Sequence, residues 1–293
     1  MSIGTLLKKA FTGGDWCIAI RDIGDKQYLV VSNLPNTWCA DTLLFEESGE
    51  HYLFVEQYDK KKDKGAIGYY TIENGIPVSK GVIIENSYHM SYPFVFKHEG
   101  IIYMIPESSA NSTVDLYVAE EFPNKWQLKK HLIENDKYVD STVWKQDGQY
   151  FILSYKKRVN AKTGRAEWVL AVFILNMENL SMEQISERIY STNIGRPAGH
   201  LFMRGGVLIR PAQDCSKKYG ESIILYAVDS LNSDGEYVEH EVERISLQQL
   251  NTDKRVDRFH TYSRDSKYEV IDAYMEKLDL FHIPRIYLRS KRK

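Results

Sequence analysis

The sequence predicts an all-β fold, a five-bladed β-propeller with four-stranded blades. Three observations predict it. A hairpin-like segment recurs about every fifty residues along the 293-residue chain, further strand-like runs lie between the recurrences, and helical patterning is scarce. A unit of this length carrying two hairpins' worth of strand is one propeller blade. Five units fit the chain, and six or seven do not fit at this period. A β-sandwich would show turn signals at roughly 8–12 residue spacing without the longer recurrence of a polar residue, a Gly turn and an aromatic.

Each element follows from its local pattern. Four hairpins read ADTLLFEESGEHYLFVEQ, SYPFVFKHEGIIYMIPES, VDSTVWKQDGQYFILSYK and RPAGHLFMRGGVLIRPAQ, turning at Gly49, Gly100, Gly148 and Gly205. Each glycine stands in a tight turn between two alternating apolar runs, the mark of a β-hairpin. A fifth, degenerate copy, VDRFHTYSRDSKYEV, carries Asp265 in place of the glycine. The remaining strands are read at 68–72, 82–85, 114–119, 168–175 and 223–228. Residues 182–188 read as a turn or so of helix. The chain divides into one domain, residues 1–284, and a basic tail, residues 285–293.

Composition narrows the function classes. Apolar residues make up 43% of the chain, enough for a large buried core, and the net charge of −2 provides no basic field for nucleic acid. The tail from Arg285 to Lys293 is one-sided in charge and is a candidate for peripheral contact with an anionic membrane, or for a solvated end. Cys17, Cys39 and Cys215 are odd in number and lack metal-ligand spacing, so neither a disulfide framework nor a zinc site is implied. The start, MSIGTLLKKAF, has no long apolar core or cleavage site, and no run approaches the ~18 apolar residues of a membrane span. Together these point to the cytoplasm. No Walker loop, Rossmann fingerprint or HExxH motif occurs, so no ATPase, dinucleotide or zinc-protease chemistry is read.

Equivalent positions of a propeller repeat converge at one end of its central channel. Eight residues before the turn position stand Asp41, Tyr92, Asp140, Pro197 and Asp257, and seven residues after it stand Glu56 and Glu107 in the first two blades. Carboxylates gathered in a pocket shift one another's pKa values, as acid/base pairs require. Aspartates at strand starts also bond backbone amides, and both uses are open for each residue alone.

The blade starts ADTLLF, SYPFVF and VDSTVW resemble glycoside hydrolase family 43 and its propeller relatives. The ordered set HMSYPFVF, YMIPES, FPNKW, VDSTVW, GRPAGHLF and RPAQDCSKKYG resembles more closely the N-terminal region of plant glucosamine inositolphosphorylceramide transferases and bacterial proteins of surface-polysaccharide synthesis. The likeness runs roughly from Trp38 to His260. It implies Asp41 as general base and Asp140 as the residue that orients substrate and tunes the acid. The hydrolases' blade-four general acid has no counterpart, because Pro197 stands in its place. Either Glu107 substitutes, or the leaving group is a nucleotide or diphosphate that needs positive charge rather than a proton. Arg196 and Arg210 are candidates to face such a donor, or to brace blades by pairing with Asp140 or Asp214. His89 and His200 are candidates for substrate hydroxyls or for structural histidines, and Trp38 and Trp144 for stacking on a sugar ring. Tyr92, Gln213 and Asp214 complete the expected substrate contacts. The resemblance admits a calcium ion in the channel, but no Asp-rich loop predicts one, and no metal or other cofactor is expected. The reading is a glycosyltransferase-like enzyme of glycolipid or surface-polysaccharide assembly, taking a sugar donor and a glycan or glycolipid acceptor. A family 43-like hydrolase and a silent carbohydrate-binding propeller are the alternatives.

Overall fold

The computed structural model describes residues 12–278; the N-terminal segment and the basic tail, 285–293, lie outside the described residues. The protein is an all-β, five-bladed propeller. Blade one is built from Thr37–Glu47, Glu50–Asp59, Lys64–Glu73 and Ile76–Ile84, and blade two from Ser91–His98, Ile101–Ser108, Thr113–Glu121 and Lys125–Glu134. Blade three comprises Val139–Gln146, Gln149–Val159, Ala166–Asn176 and Ser181–Tyr190. In blade four the innermost strand is split into Ile194–Pro197 and Phe202–Arg204, both paired to Val207–Asp214, followed by Ser222–Leu231 and Tyr237–Ser246. Blade five closes the ring. Its inner strands, Tyr262–Arg264 and Tyr268–Leu278, are completed by Thr12–Asp22 and Leu29–Val30 from the other end of the chain.

The turn chemistry is visible in the dihedrals. Ser48–Gly49, Glu99–Gly100 and Asp147–Gly148 all have positive φ at both turn positions, the two-residue hairpin whose twist matches that of the strands. Apolar wedges fill the seams. Cys39, Leu44, Val55 and Val270 pack between blades five and one, Phe54, Met90 and Met104 between one and two, and Phe94, Ile105 and Ile152 between two and three. Leu153, Leu170 and Ile224 fill the seam of blades three and four, and Ile209, Leu225 and Ile271 that of four and five. Each fully buried side chain of this size is worth about 1.5–3 kcal/mol.

Three expectations are corrected. Residues 182–188 form no helix but lie within Ser181–Tyr190, the outermost strand of blade three. A bulge leaves Ile185 unpaired between Gln184, opposite Phe173, and Ser186, opposite Val172. That extra residue breaks the period-two alternation and imitates a helical spacing. In blade five Arg264 pairs with Glu269, so the turn is Ser266–Lys267, while the Asp265 carboxylate accepts the N–H groups of Lys267 and Tyr268. The repeat position therefore falls near His260, not at Asp257, whose carboxylate accepts the Glu276 N–H and pairs with Arg255. Trp144 sits down its strand opposite Phe151, packed in the blade three–four wedge, away from Asp140.

Candidate active site

The innermost strands of blades one to three share a bulge at their start. Register is lost between Ala40 and Leu43, Ser91 and Phe94, and Val139 and Thr142. Asp41, Tyr92 and Asp140 occupy these bulges with φ of 50°, 43° and 51°. Left-handed backbone at three non-glycine residues is held only where surrounding contacts over-determine it. Those contacts are present. The Asp41 Oδ2 accepts the Tyr92 N–H at 3.1 Å, and the Tyr92 hydroxyl meets Thr142 Oγ1 at 2.7 Å and accepts the Gly199 N–H at 2.8 Å. Tyr92 thereby ties four blades together from the buried centre, and is wholly enclosed rather than facing a ligand.

Around this knot stand four carboxyl groups. Asp41 has His260 Nε2 at 3.0 Å from its Oδ1. Burial raises its pKa, but His260, the Arg196 charge and the Tyr92 N–H outweigh burial and hold it below the usual value. Glu56, directly across from Ala40, is pushed well above the ordinary carboxyl range by burial and by the charge of Asp41. His89 Nε2 lies 3.3 Å from Glu56 Oε1, and the Gly65 N–H donates to His89 Nδ1 at 3.0 Å, which leaves the proton of the neutral ring on Nε2. Gly65 is required here, since a Cβ would stand 2.6 Å from Glu56 Oε1.

Glu107 lies opposite Ser91 on blade two. Burial, with the Asp140 carboxylate alongside, pushes its pKa up to about 8, although Arg196 pulls in the other direction. Arg196 forks onto Asp140, donating through Nε to Oδ2 and through Nη2 to Oδ1 at 2.9 Å, and the same Nη2 reaches Glu107 Oε2 at 3.1 Å. Gln213 donates to Asp140 Oδ2 at 2.8 Å. The set thus contains a carboxylate, two un-ionised carboxyls and an Asp–Arg pair, which is what proton transfer in both directions requires. At the rim, the Trp38 indole stacks on Tyr58 at 4.3 Å, and Tyr219, on the blade-four loop between Val207–Asp214 and Ser222–Leu231, packs on His260 at 4.7 Å.

Other expected contacts fall elsewhere. Arg210 is fully buried within blade four, donating to Glu239 Oε1 and Oε2 at 2.8 Å and to Gly195 O at 3.0 Å, so it faces no donor. Asp214 is engaged by Arg244 and Ser216. His200 packs on the Phe94 ring, 3.3 Å from Ser263 Oγ, and burial pushes its pKa down to about 4. Two surface pockets, of about 350 Å³ beside Asp214 and about 280 Å³ beside Tyr262, lie off the carboxyl cluster. Sequence reasoning missed His260, Asp272 and Trp16. The first two became findable only once the blade-five register was known.

Among the described residues, Asp41, His260 and Asp272 could converge on a cation, as could Glu46, His51 and Asp265. Calcium takes about 6–8 oxygens. Neither group approaches that number, and Asp272 already accepts the backbone N–H groups of Asp41, His260 and Thr261. The donor set does not fit the ion.

The five-bladed ring is a fold shared with solved glycoside hydrolase propellers. A Cellvibrio cellulosa α-L-arabinanase structure matches 82% of this chain and 90% of its own at TM-score 0.56 and 17% identity. A family 43 β-xylosidase/α-arabinofuranosidase from a compost metagenome matches 88% and 94% at TM-score 0.55 and 12% identity. At such identities the likeness is one of fold. The family profile described as "Glucosamine inositolphosphorylceramide transferase 1, N-terminal" matches residues 14–270, and the chain belongs to this family. It is 32% identical over 211 residues to glucosamine inositolphosphorylceramide transferase 1 of Oryza sativa subsp. japonica, covering 70% of this chain and 28% of that protein. The Arabidopsis thaliana protein of the same name is 31% identical over 216 residues, covering 72% and 28%. The chain thus spans a little over a quarter of the length of these relatives. Among its described residues no helix is long and apolar enough to cross a membrane.

Proposed function

We propose that this chain is a carbohydrate-active enzyme of glycolipid or surface-polysaccharide biosynthesis, transferring a glycosyl group to a hydroxyl acceptor at the carboxyl cluster. The observation that carries the reading is the unlike surroundings of two carboxyls at one channel mouth: Asp41 lies 3.0 Å from His260, which holds its pKa down, whereas Glu107 is buried beside Asp140, which holds its pKa up. Asp41 takes the proton of the acceptor hydroxyl as its oxygen attacks the anomeric carbon. The bond from that carbon to the leaving oxygen breaks, and Glu107 gives that oxygen its proton. Asp140, held by Arg196 and Gln213, orients the sugar, and Trp38 offers it a stacking face. The relatives' name supports a sugar donor and a glycolipid acceptor. Three unpaired cysteines support a cytoplasmic setting, where activated donors are made, and the basic tail, 285–293, would meet an anionic membrane carrying the acceptor.

A panel of sugar nucleotides and phosphorylated sugars with glycolipid acceptors tests this. Turnover should fall by roughly 10²–10⁴-fold in Asp41→Asn and in Glu107→Gln. Neither binding nor turnover with any member of the panel would sink the reading. One observation favours a second reading, hydrolysis of an ordinary glycoside. Arg196 is already engaged by Asp140 and Glu107, and a protonated Glu107 is what an alkoxide leaving group needs. Release of sugar from synthetic arabinosides, xylosides or galactosides, lost in Asp41→Asn, would establish it. Ligand binding with turnover at background in the wild type and every carboxyl variant would leave a binding propeller instead.

A further inference from the structure

Blade five is where the two ends of the chain meet, Thr12–Asp22 pairing with Tyr268–Leu278 in register from Thr12↔Leu278 to Asp22↔Tyr268. Its seam with blade one carries polar links beside its apolar wedge. Thr42 N–H and Oγ1 meet Thr261 Oγ1, and the Leu44 N–H donates to Ser263 Oγ at 3.0 Å. At the channel end of that seam lies a chain of buried groups, Asp272, His260 and Asp41.

We propose that Asp272 and His260 form a positioning dyad that crosses this seam to aim the Asp41 carboxylate, so that the base is assembled by closure of the ring. The inference rests on the reading of Asp41 as base. Asp272 Oδ1 accepts the N–H groups of His260 at 2.8 Å and Thr261 at 2.9 Å, which fixes the backbone that presents the imidazole. Asp272 Oδ2 accepts the Asp41 N–H at 3.2 Å and lies 2.7 Å from His260 Nδ1. One carboxylate therefore holds both the imidazole and the strained backbone of the base. The Trp16 ring at 4.4 Å and the Tyr219 ring at 4.7 Å restrict the rotation of the imidazole between them. The Tyr92 N–H bonds Asp41 Oδ2, and Nε2 of the ring stands in ion-pair range of Oδ1 at 3.0 Å, a charge contact and not an aligned hydrogen bond.

The charges explain why a histidine stands here. Asp41 and Asp272 flank the ring directly; Glu56, Glu107 and Asp140 stand around the same channel mouth, and Arg196 supplies a second cation. Burial lowers the imidazole pKa, but Asp272 and Asp41 together raise it well above the ordinary histidine value. The resulting cation keeps Asp41 ionised among neighbours that would otherwise protonate it.

The test uses the full chain labelled with ¹⁵N-histidine, the His260 signals being assigned by their loss in His260→Gln. Both ring nitrogens should remain protonated from roughly pH 6 to 8, and Asp41→Asn should lower the titration midpoint by at least about one pH unit. A neutral ring of a single tautomer at pH 7, or a midpoint unmoved by Asp41→Asn, overturns the dyad. On whichever nitrophenyl glycoside or sugar nucleotide is turned over, His260→Gln and Asp272→Asn should move the acid limb of the kcat profile up by about one unit, with KM within about threefold. An unmoved limb would make the two residues merely structural. Absence of turnover with every probe removes the reading of Asp41 as base, while the histidine titration still decides the geometry. Should Asp272→Asn fail to fold, the comparison of wild type with Asp41→Asn decides.

Discussion

Replacing Glu107 by Gln should make the protein more stable near neutral pH, and the gain should grow with pH. In the folded state burial and Asp140 push the Glu107 carboxyl up to about 8, against an ordinary 4.5. The unfolded chain therefore loses this proton near pH 4.5, whereas the folded chain keeps it to about pH 8. Between those limits the native state binds more protons than the unfolded state, so the contribution of Glu107 to stability falls as pH rises. At about 1.4 kcal/mol per pH unit, the fall from pH 4.5 to pH 7 is worth about 3 kcal/mol. Gln has nearly the same shape and can accept from Ser109, which sits 2.7 Å from Glu107 Oε1; its NH2 cannot accept from Arg196 Nη2 as Glu107 Oε2 does at 3.1 Å, a pH-independent loss that leaves the slope of the difference unchanged. Gln does not titrate. The assay is urea unfolding of both proteins at intervals from pH 4.5 to pH 8. Subtracting one curve from the other cancels the other titrating groups to first order. The difference should open with pH toward about 3 kcal/mol at pH 7 and level off above pH 8. Parallel curves, or a variant that loses ground as pH rises, would refute the assignment of the proton to Glu107.

Three further outcomes follow from the packing. Arg210→Met should cost about 3–5 kcal/mol in urea unfolding, because Glu239 then loses its buried bidentate partner and keeps only the partly exposed Arg188 at 3.6 Å; a variant as stable as the wild type contradicts the pairing seen in blade four. Gly199→Ala should destabilise by roughly 2–5 kcal/mol, since its Cβ would meet Tyr262 O at 2.0 Å with φ at +143°; a thermal midpoint unchanged from wild type would show the backbone relaxes freely there. Tyr92→Phe strands the buried Gly199 N–H and should cost about 1–3 kcal/mol, with no change expected in the pH dependence of unfolding.

The fold was legible because a propeller writes itself as recurrence. Gly49, Gly100 and Gly148 mark turns whose dihedrals demand a residue tolerant of positive φ, and the flanking apolar runs follow from strands that send alternate side chains, such as Leu53 and Phe54, into the seams on either face. Legibility failed where the backbone departs from regular pairing. The bulge at Ile185 disguised a strand, and the altered turn of blade five moved its channel residue from Asp257 to the neighbourhood of His260. Site geometry was legible only where residue type and repeat position coincide, as at Asp41, Asp140 and Glu107. Arg196 and Arg210 look alike in the sequence, fourteen positions apart. Pairing sends one to Asp140 and the other into the middle of blade four, and no local pattern announces the Glu239 that receives it.

The same repeat explains why the cluster is asymmetric. The position opposite the start of each blade is Glu56, Glu107, Tyr155, Gln213 and Tyr274 in turn, so only the first two blades bring a glutamate to the channel. Four carboxyls so close cannot all carry charge, and the two cations decide where charge resides. His260 lies against Asp41 and not against Glu56, whose nearest ring, His89, burial keeps from ionising. Arg196 gives two nitrogens to Asp140 and shares one of them with Glu107. Each glutamate thus stands beside an aspartate that holds the better cation, and each keeps its proton. Blade four, which lacks the hydrolases' acid at Pro197, contributes instead the arginine that helps divide Asp140 from Glu107. On the proposed reading, a donor at Glu107 and an acceptor at Asp41 follow from where two basic side chains fall, not from any special property of the carboxyls themselves.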